Sequence, residues 1–223
     1  MIGTTMRGVD SRLLTLGVLG VVSWFALAPV RAEGQVGGLA GQGAAAVVTT
    51  TMGAQQFAVA ALPSFGGMVD SEQESVAVPN TLSATGLASI ATGQVDQTLV
   101  SATTTAEAAN VTILDGLITA QAVLAVATSY ANGVAATSES DGSTLLGLVV
   151  NGVSYGDVAP AANTQLTLPG VGQVVFNEQI PSGDGVHNAA LTVNMIHVYL
   201  TDPVLGTPAG DIVVGAAQSA ASL

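Results

Sequence analysis

From about residue 83 onward, the chain is a succession of short stretches in which apolar and small polar residues alternate, each closed by a turn dipeptide. Leu146, Leu148 and Val150 alternate with Leu145, Gly147 and Val149; Leu166 and Leu168 with Gln165 and Thr167; Val174 and Phe176 with Gln173 and Val175. Successive side chains of a strand point to opposite faces, so a period of two over short runs predicts half-buried strands. Asp115-Gly116, Asn132-Gly133, Asp141-Gly142, Asn151-Gly152, Pro169-Gly170 and Asp184-Gly185 punctuate the pattern. Such pairs supply the positive φ angles that tight turns require. Asn151-Gly152 predicts a hairpin between 146–150 and 153–155, and Pro169-Gly170-Val171-Gly172 a second one. Strands are expected over 98–109, over 191–200 (ended by Asp202-Pro203) and, last, over 211–217. The pattern predicts an all-β chain: an antiparallel β-sandwich or related sheet domain over residues 57–223.

Three stretches read differently. Residues 117–131 (LITAQAVLAVATSYA) suit a helix with Leu117, Gln121, Leu124 and Thr128 on one face. They also suit a strand with Ile118, Ala120, Ala122, Leu124 and Val126 on one side. Alanine favours helix, whereas Val, Ile, Thr and Tyr favour strand. The turn dipeptides at both ends tip the expectation to a long strand. Residues 33–56 are rich in Gly, Ala and Thr and are expected to form a flexible segment, with a strand over 44–52. Residues 69–81, with their acids and Pro79, are expected to form a loop.

The first 32 residues have another character. Arg7 and Arg12 precede a 16-residue apolar run, 13–28, followed by Pro29-Val30-Arg31-Ala32. A positive leader, a short apolar run and a small residue at the cut site make a helical secretory signal peptide, with cleavage expected after Ala32. A spanning helix needs about 20 apolar residues, and this run is shorter and broken by Thr15, Gly17, Gly20 and Ser23. No later run is long enough, so no integral span is expected in the mature chain. Removing 32 of the 223 residues leaves 191, which suits one domain.

Charge sharpens the picture. All three basic residues, Arg7, Arg12 and Arg31, lie in the leader, and of the 15 acids only Asp10 does. The mature chain therefore has no Lys or Arg against 14 carboxylates, a formal charge of −14. It cannot neutralise phosphates, so nucleic acid is excluded as a partner, and an anionic membrane repels it. Cations or basic surfaces are its natural counter-charges. The absence of Cys excludes zinc-thiolate sites and thiol catalysis. Carboxylates facing one another in a sheet repel, so the acids are expected mainly in turns, as at Asp115, Asp141, Asp157 and Asp184.

Candidate chemistry is sparse. His187, in a Gly-rich loop, and His197, in a predicted strand, are the only histidines; neither has ligands at a diagnostic metal spacing. The acidic turns around Glu139, Asp141 and Asp184 offer some of the six to eight oxygens that calcium takes, but fit no EF-hand; the plain alternative is a solvated turn. Glu178, in Asn177-Glu178-Gln179, is a conceivable general base without an evident partner acid. No catalytic or cofactor-binding set is identified, and calcium is the one cofactor considered. A pocket joining Glu178 or Asp157 to His197 would point to an enzyme.

Residues 111–219 resemble the bacterial exported proteins of the choice-of-anchor P family. The resemblance rests on VTILDGLITAQAV (111–123), STLLGLVVNGVSY (143–155), TQLTLPGVGQVVFNEQ (164–179), LTVNMIHVYL (191–200) and GDIVVGAAQS (210–219). The family name refers to varied C-terminal surface anchors; here the sequence stops at Leu223, just after the last of these segments, with no sorting motif in view. The resemblance implies no catalytic residues. The expectation is an extracellular or cell-surface, non-catalytic structural or interaction protein whose partner is an envelope or matrix component. The alternatives are a secreted hydrolase and a calcium-dependent adhesin.

Overall fold

The computed structural model describes residues 37–51 and 53–223, so the expected signal peptide and its cut site at Ala32 lie outside the described residues. The described chain is all strand and turn. Its strands are β1 (Gly38–Thr50), β2 (Gly53–Ala61), β3 (Gly67–Val78), β4 (Leu82–Val95), β5 (Val100–Ile113), β6 (Ile118–Ala131), β7 (Ala136–Glu139), β8 (Thr144–Val150), β9 (Val153–Val158), β10 (Thr164–Leu168), β11 (Gly172–Gly183), β12 (Asn188–Thr201) and β13 (Pro208–Ser222). Two antiparallel sheets pack as a sandwich. Sheet A has the order β10-β11-β12-β13-β1-β2; sheet B has β3-β4-β5-β6-β8-β9, with β7 also paired to β6. Among the described residues, no helix is long and apolar enough to cross a membrane.

Of the ambiguous stretch 117–131, all but Leu117 is strand β6, at the centre of sheet B between β5 and β8. Its residues alternate between the core and a half-covered outer face, so burial on one side overrides the helical preference of its alanines. The Asn151-Gly152 hairpin joins β8 to β9, and Pro169-Gly170 joins β10 to β11. Two expectations are corrected. The strand expected over 44–52 is present as part of β1, but β1 starts at Gly38, within the stretch read as flexible, and is an inner strand of sheet A between β13 and β2, while 53–56 begin β2. Small side chains here signal close packing: a Cβ on Gly43 would stand 3.1 Å from both Ser89 and Thr104 of the opposite sheet. Residues 69–78, expected in a loop, belong to edge strand β3, whose outward Asp70, Glu72 and Glu74 are exposed. A row of carboxylates on an edge discourages pairing with another chain.

The main core lies between the sheets and includes Ile113, Ile118, Leu145, Leu168, Phe176, Met195, Ile196 and Ile212. Burial of each such side chain contributes on the order of 1.5–3 kcal/mol. Ser129 of β6 and Ser219 of β13 add a buried hydrogen bond across the sandwich, 2.8 Å between hydroxyls.

A line of irregularity crosses sheet A. The ladders pass from Phe176↔Ile196 to Glu178↔Asn194, from Asn194↔Ala216 to Ile196↔Val214, from Ala44↔Ala216 to Ala46↔Val214 and from Ala44↔Val59 to Ala46↔Phe57. The residue skipped on each strand (Asn177, Met195, Gly215, Ala45 and Ala58) falls on one line. Asn177, Gly215 and Ala58 there are left-handed, with φ of 49°, 69° and 49°. The break moves the side-chain alternation by one residue, so Met195 and its neighbour Ile196 both join the main core. It also brings Asn194 and His197, three residues apart, to one carboxylate on the other face.

Candidate functional site

That face of sheet A carries the densest group of ionisable side chains in the described chain. Three adjacent strands build it. β11 supplies Glu178, β12 supplies Asn194, His197 and Tyr199, and β13 supplies Asp211. Register places them: Glu178 pairs with Asn194, and Tyr199 with Asp211, while His197 stands between Val175 and Val213. Directly paired residues share a face, so the imidazole is flanked by two buried valines.

The bonds close on one another. Nδ1 of His197 lies 2.7 Å from Oε2 of Glu178, and Nε2 lies 3.2 Å from Oδ2 of Asp211. Nδ2 of Asn194 donates to the same Glu178 Oε2 at 2.7 Å, and the Tyr199 hydroxyl donates to Oε1 at 2.5 Å. The imidazole stacks on the Tyr199 ring with centroids 3.9 Å apart. His197 is 9 % exposed. A neutral imidazole has one donor and one lone pair, so only the protonated ring donates to both carboxylates.

Electrostatics agree. Burial alone would push His197 below its ordinary value, but the hydrogen bonds to Asp211 and Glu178, and their charges, outweigh it and raise the pKa above 6.5. Burial would raise Glu178, yet the bonds from His197, Tyr199 and Asn194 and the imidazolium charge bring it down from 4.5 to about 2. Burial, then the bond to Glu178, raises the Tyr199 phenol, which stays protonated. The centre is thus an imidazolium held between two carboxylates. In a stretch without Lys or Arg, it is the internal counter-charge that sequence can offer.

The sequence singles out Glu178 and His197 and names a pocket with Glu178 or Asp157 beside His197 as the arrangement to look for; the structure places Glu178 against His197, without a pocket around them among the described residues. Asp157 is elsewhere: it lies on β9, at the edge of sheet B, where its Oδ1 accepts the Gly147 N–H at 2.9 Å. Its expected place in a turn is therefore corrected, because the kinked β8 backbone at Gly147 needs an acceptor there. Asp115, Asp141 and Asp184 do lie in turns, but the wider expectation that the acids sit mainly in turns is corrected: Asp70, Glu72, Glu74, Glu107, Glu139, Glu178 and Asp211, like Asp157, are on strands, where exposed edges and faces or the His197 contact accommodate their charge. Asn194, Tyr199 and Asp211 were not anticipated. The polar positions Asn194, His197 and Tyr199 in LTVNMIHVYL were the available signal, hidden because their spacing follows neither strand nor helix periodicity across the kink.

The calcium candidates do not converge. Glu139 ends β7, Asp141 sits in the following turn, and Asp184 opens the β11–β12 loop. Oδ1 of Asp184 accepts backbone N–H groups from Val186, His187 and Asn188 at 2.7–3.0 Å. Those backbone bonds hold its pKa well below the ordinary range, so it acts as the cap of its own loop. Among the described residues, no group of three His, Cys, Asp or Glu is placed to hold a metal ion. Two open depressions, of roughly 280 and 390 Å³, lie on sheet B around Gly86 and Glu107 and not at the His197 centre. Compared with known proteins, the chain matches no family model, no curated protein and no solved structure.

Proposed function

We propose that the protein is an exported, non-catalytic structural or interaction component of the bacterial cell exterior, in keeping with the resemblance of residues 111–219 to choice-of-anchor P proteins. The observation that carries this reading is the self-contained centre on sheet A. Glu178 is bonded by Asn194, His197 and Tyr199, and the other imidazole nitrogen by Asp211, so the group ties β11, β12 and β13 together. Such an arrangement serves cohesion of a sheet. Asp70, Glu72, Glu74 and Glu107 stand exposed on sheet B and give a surface suited to basic partners. The adjacency of Glu178 and His197 favours a second reading, an exported hydrolase using that pair in acid–base chemistry.

A pull-down from envelope material across a salt series, run beside a hydrolase substrate screen, tests both. Binding through the acidic surface weakens steeply as the Debye length falls below about 8–10 Å. Salt-independent binding would remove the acidic-surface reading. Turnover abolished by Glu178→Gln would establish the enzyme.

A further inference from the structure

We propose that His197 is a pH-sensitive clamp: as imidazolium it holds Glu178 of β11 and Asp211 of β13 at once, and loss of its proton releases Asp211 and loosens the adjoining rim of β12 and β13. The inference holds wherever the protein works, because it depends on the geometry of sheet A alone.

The two contacts are unequal. The 2.7 Å contact of Nδ1 with Glu178 is shorter than the 3.2 Å contact of Nε2 with Asp211. Glu178 is also fixed by Asn194 and Tyr199. When one proton leaves, the ring keeps the Nδ1–H facing Glu178 and turns a lone pair on Nε2 towards the Asp211 carboxylate. An attraction becomes a repulsion at one atom, and the local charge changes from −1 to −2. The titratable groups facing the ring from its own and the neighbouring strands are Glu178, Tyr199 and Asp211; all are acids, and no Lys or Arg on these strands can replace the lost charge.

The position gives that change a mechanical outlet. Asp211 pairs with Tyr199 on one side and Thr49 of β1 on the other. The ladder is already irregular nearby, at Leu200/Thr201, and ends in the 202–207 loop, where Val204 and Leu205 are exposed. The backbone from Val198 to Thr201 and from Gly210 to Ile212 is therefore the part that yields. The sign follows from linkage: a raised histidine pKa stabilises the folded state fully below the unfolded value of 6.5, and that stabilisation is lost as pH rises through the folded value.

The test is nuclear magnetic resonance on the ¹⁵N-labelled protein from pH 6 to 10. Both His197 ring nitrogens should show imidazolium shifts at pH 7. Across the titration of that ring, amide protection factors for 198–201 and 210–212 should fall at least tenfold, while those of β4 and β5 stay constant. In Asp211→Asn, the amide can donate to the neutral ring, and the alkaline loss of protection should disappear. A neutral His197 at pH 7, unchanged rim protection in the native chain, or an equal alkaline loss in D211N would each overturn the proposal. If D211N does not fold, the native-chain ring shifts and rim protection decide alone.

Discussion

Replacing Glu178 by Gln removes one negative charge from the centre with almost no change in volume. The side chain keeps one carbonyl oxygen for Asn194 and His197, and its amide can only donate towards Tyr199. The fall of the Glu178 pKa from 4.5 to about 2 corresponds to roughly 3 kcal/mol in favour of the charged form, at about 1.4 kcal/mol per pH unit. Part of the carboxyl still meets water, and screening there brings the expected loss to about 1–2 kcal/mol. For a domain of this size, that is a drop in Tm of about 2–8 °C at pH 6. The sign with pH is fixed. A depressed carboxyl pKa contributes stability that is fully present above 4.5 and is lost as pH falls towards 2, whereas Gln does not titrate. Thermal unfolding of both proteins, followed by circular dichroism from pH 6 to 2.5, should therefore show the gap in Tm shrinking through that window. Equal Tm values at pH 6, or a gap that stays constant down to pH 2.5, would refute the reasoning.

Gly215→Ala should lower stability by about 2–4 kcal/mol in urea titrations, because φ is 69° and the new Cβ would stand 2.9 Å from Val123 Cγ1. Gly152→Ala, also at positive φ but with nothing within 4 Å, should cost only about 1 kcal/mol in the same assay. Ser129→Ala strands the Ser219 hydroxyl in the core and should cost about 1–2 kcal/mol, whereas the Ser129→Ala/Ser219→Ala double variant should cost less than the two single changes together.

Much of the architecture was legible where one face of a strand is buried and the other is not. The 164–168 and 172–176 pair and the Asn151-Gly152 turn wrote their geometry directly into period-two alternation and turn chemistry. Residues 117–131 were legible only through their flanking turns, since alanine is neutral between the two periodicities until the opposite sheet covers it. The first part of β1, before residue 44, was obscured for a related reason. The strand is buried along nearly its whole length by Gly, Ala and Val, and small residues read locally as flexibility, although here they let two sheets approach. β3 was hidden by its edge position, where carboxylates replace the apolar face. The centre at His197 escaped because the left-handed residues Asn177 and Gly215 shift the alternation, so that Asn194 and His197 share a face that regular strand spacing would deny them. The pairing of Tyr199 with Asp211 is a long-range register that a local pattern does not encode.

The expected release after Ala32 puts the whole functional reading at stake in a single mass measurement. The protein should be recovered from outside the cytoplasm of its native cells, and its intact mass should correspond to a chain beginning at Glu33 or within a few residues of it. Recovery of the chain from the cytoplasm with Met1 still in place would contradict export, and with it a role at the cell exterior.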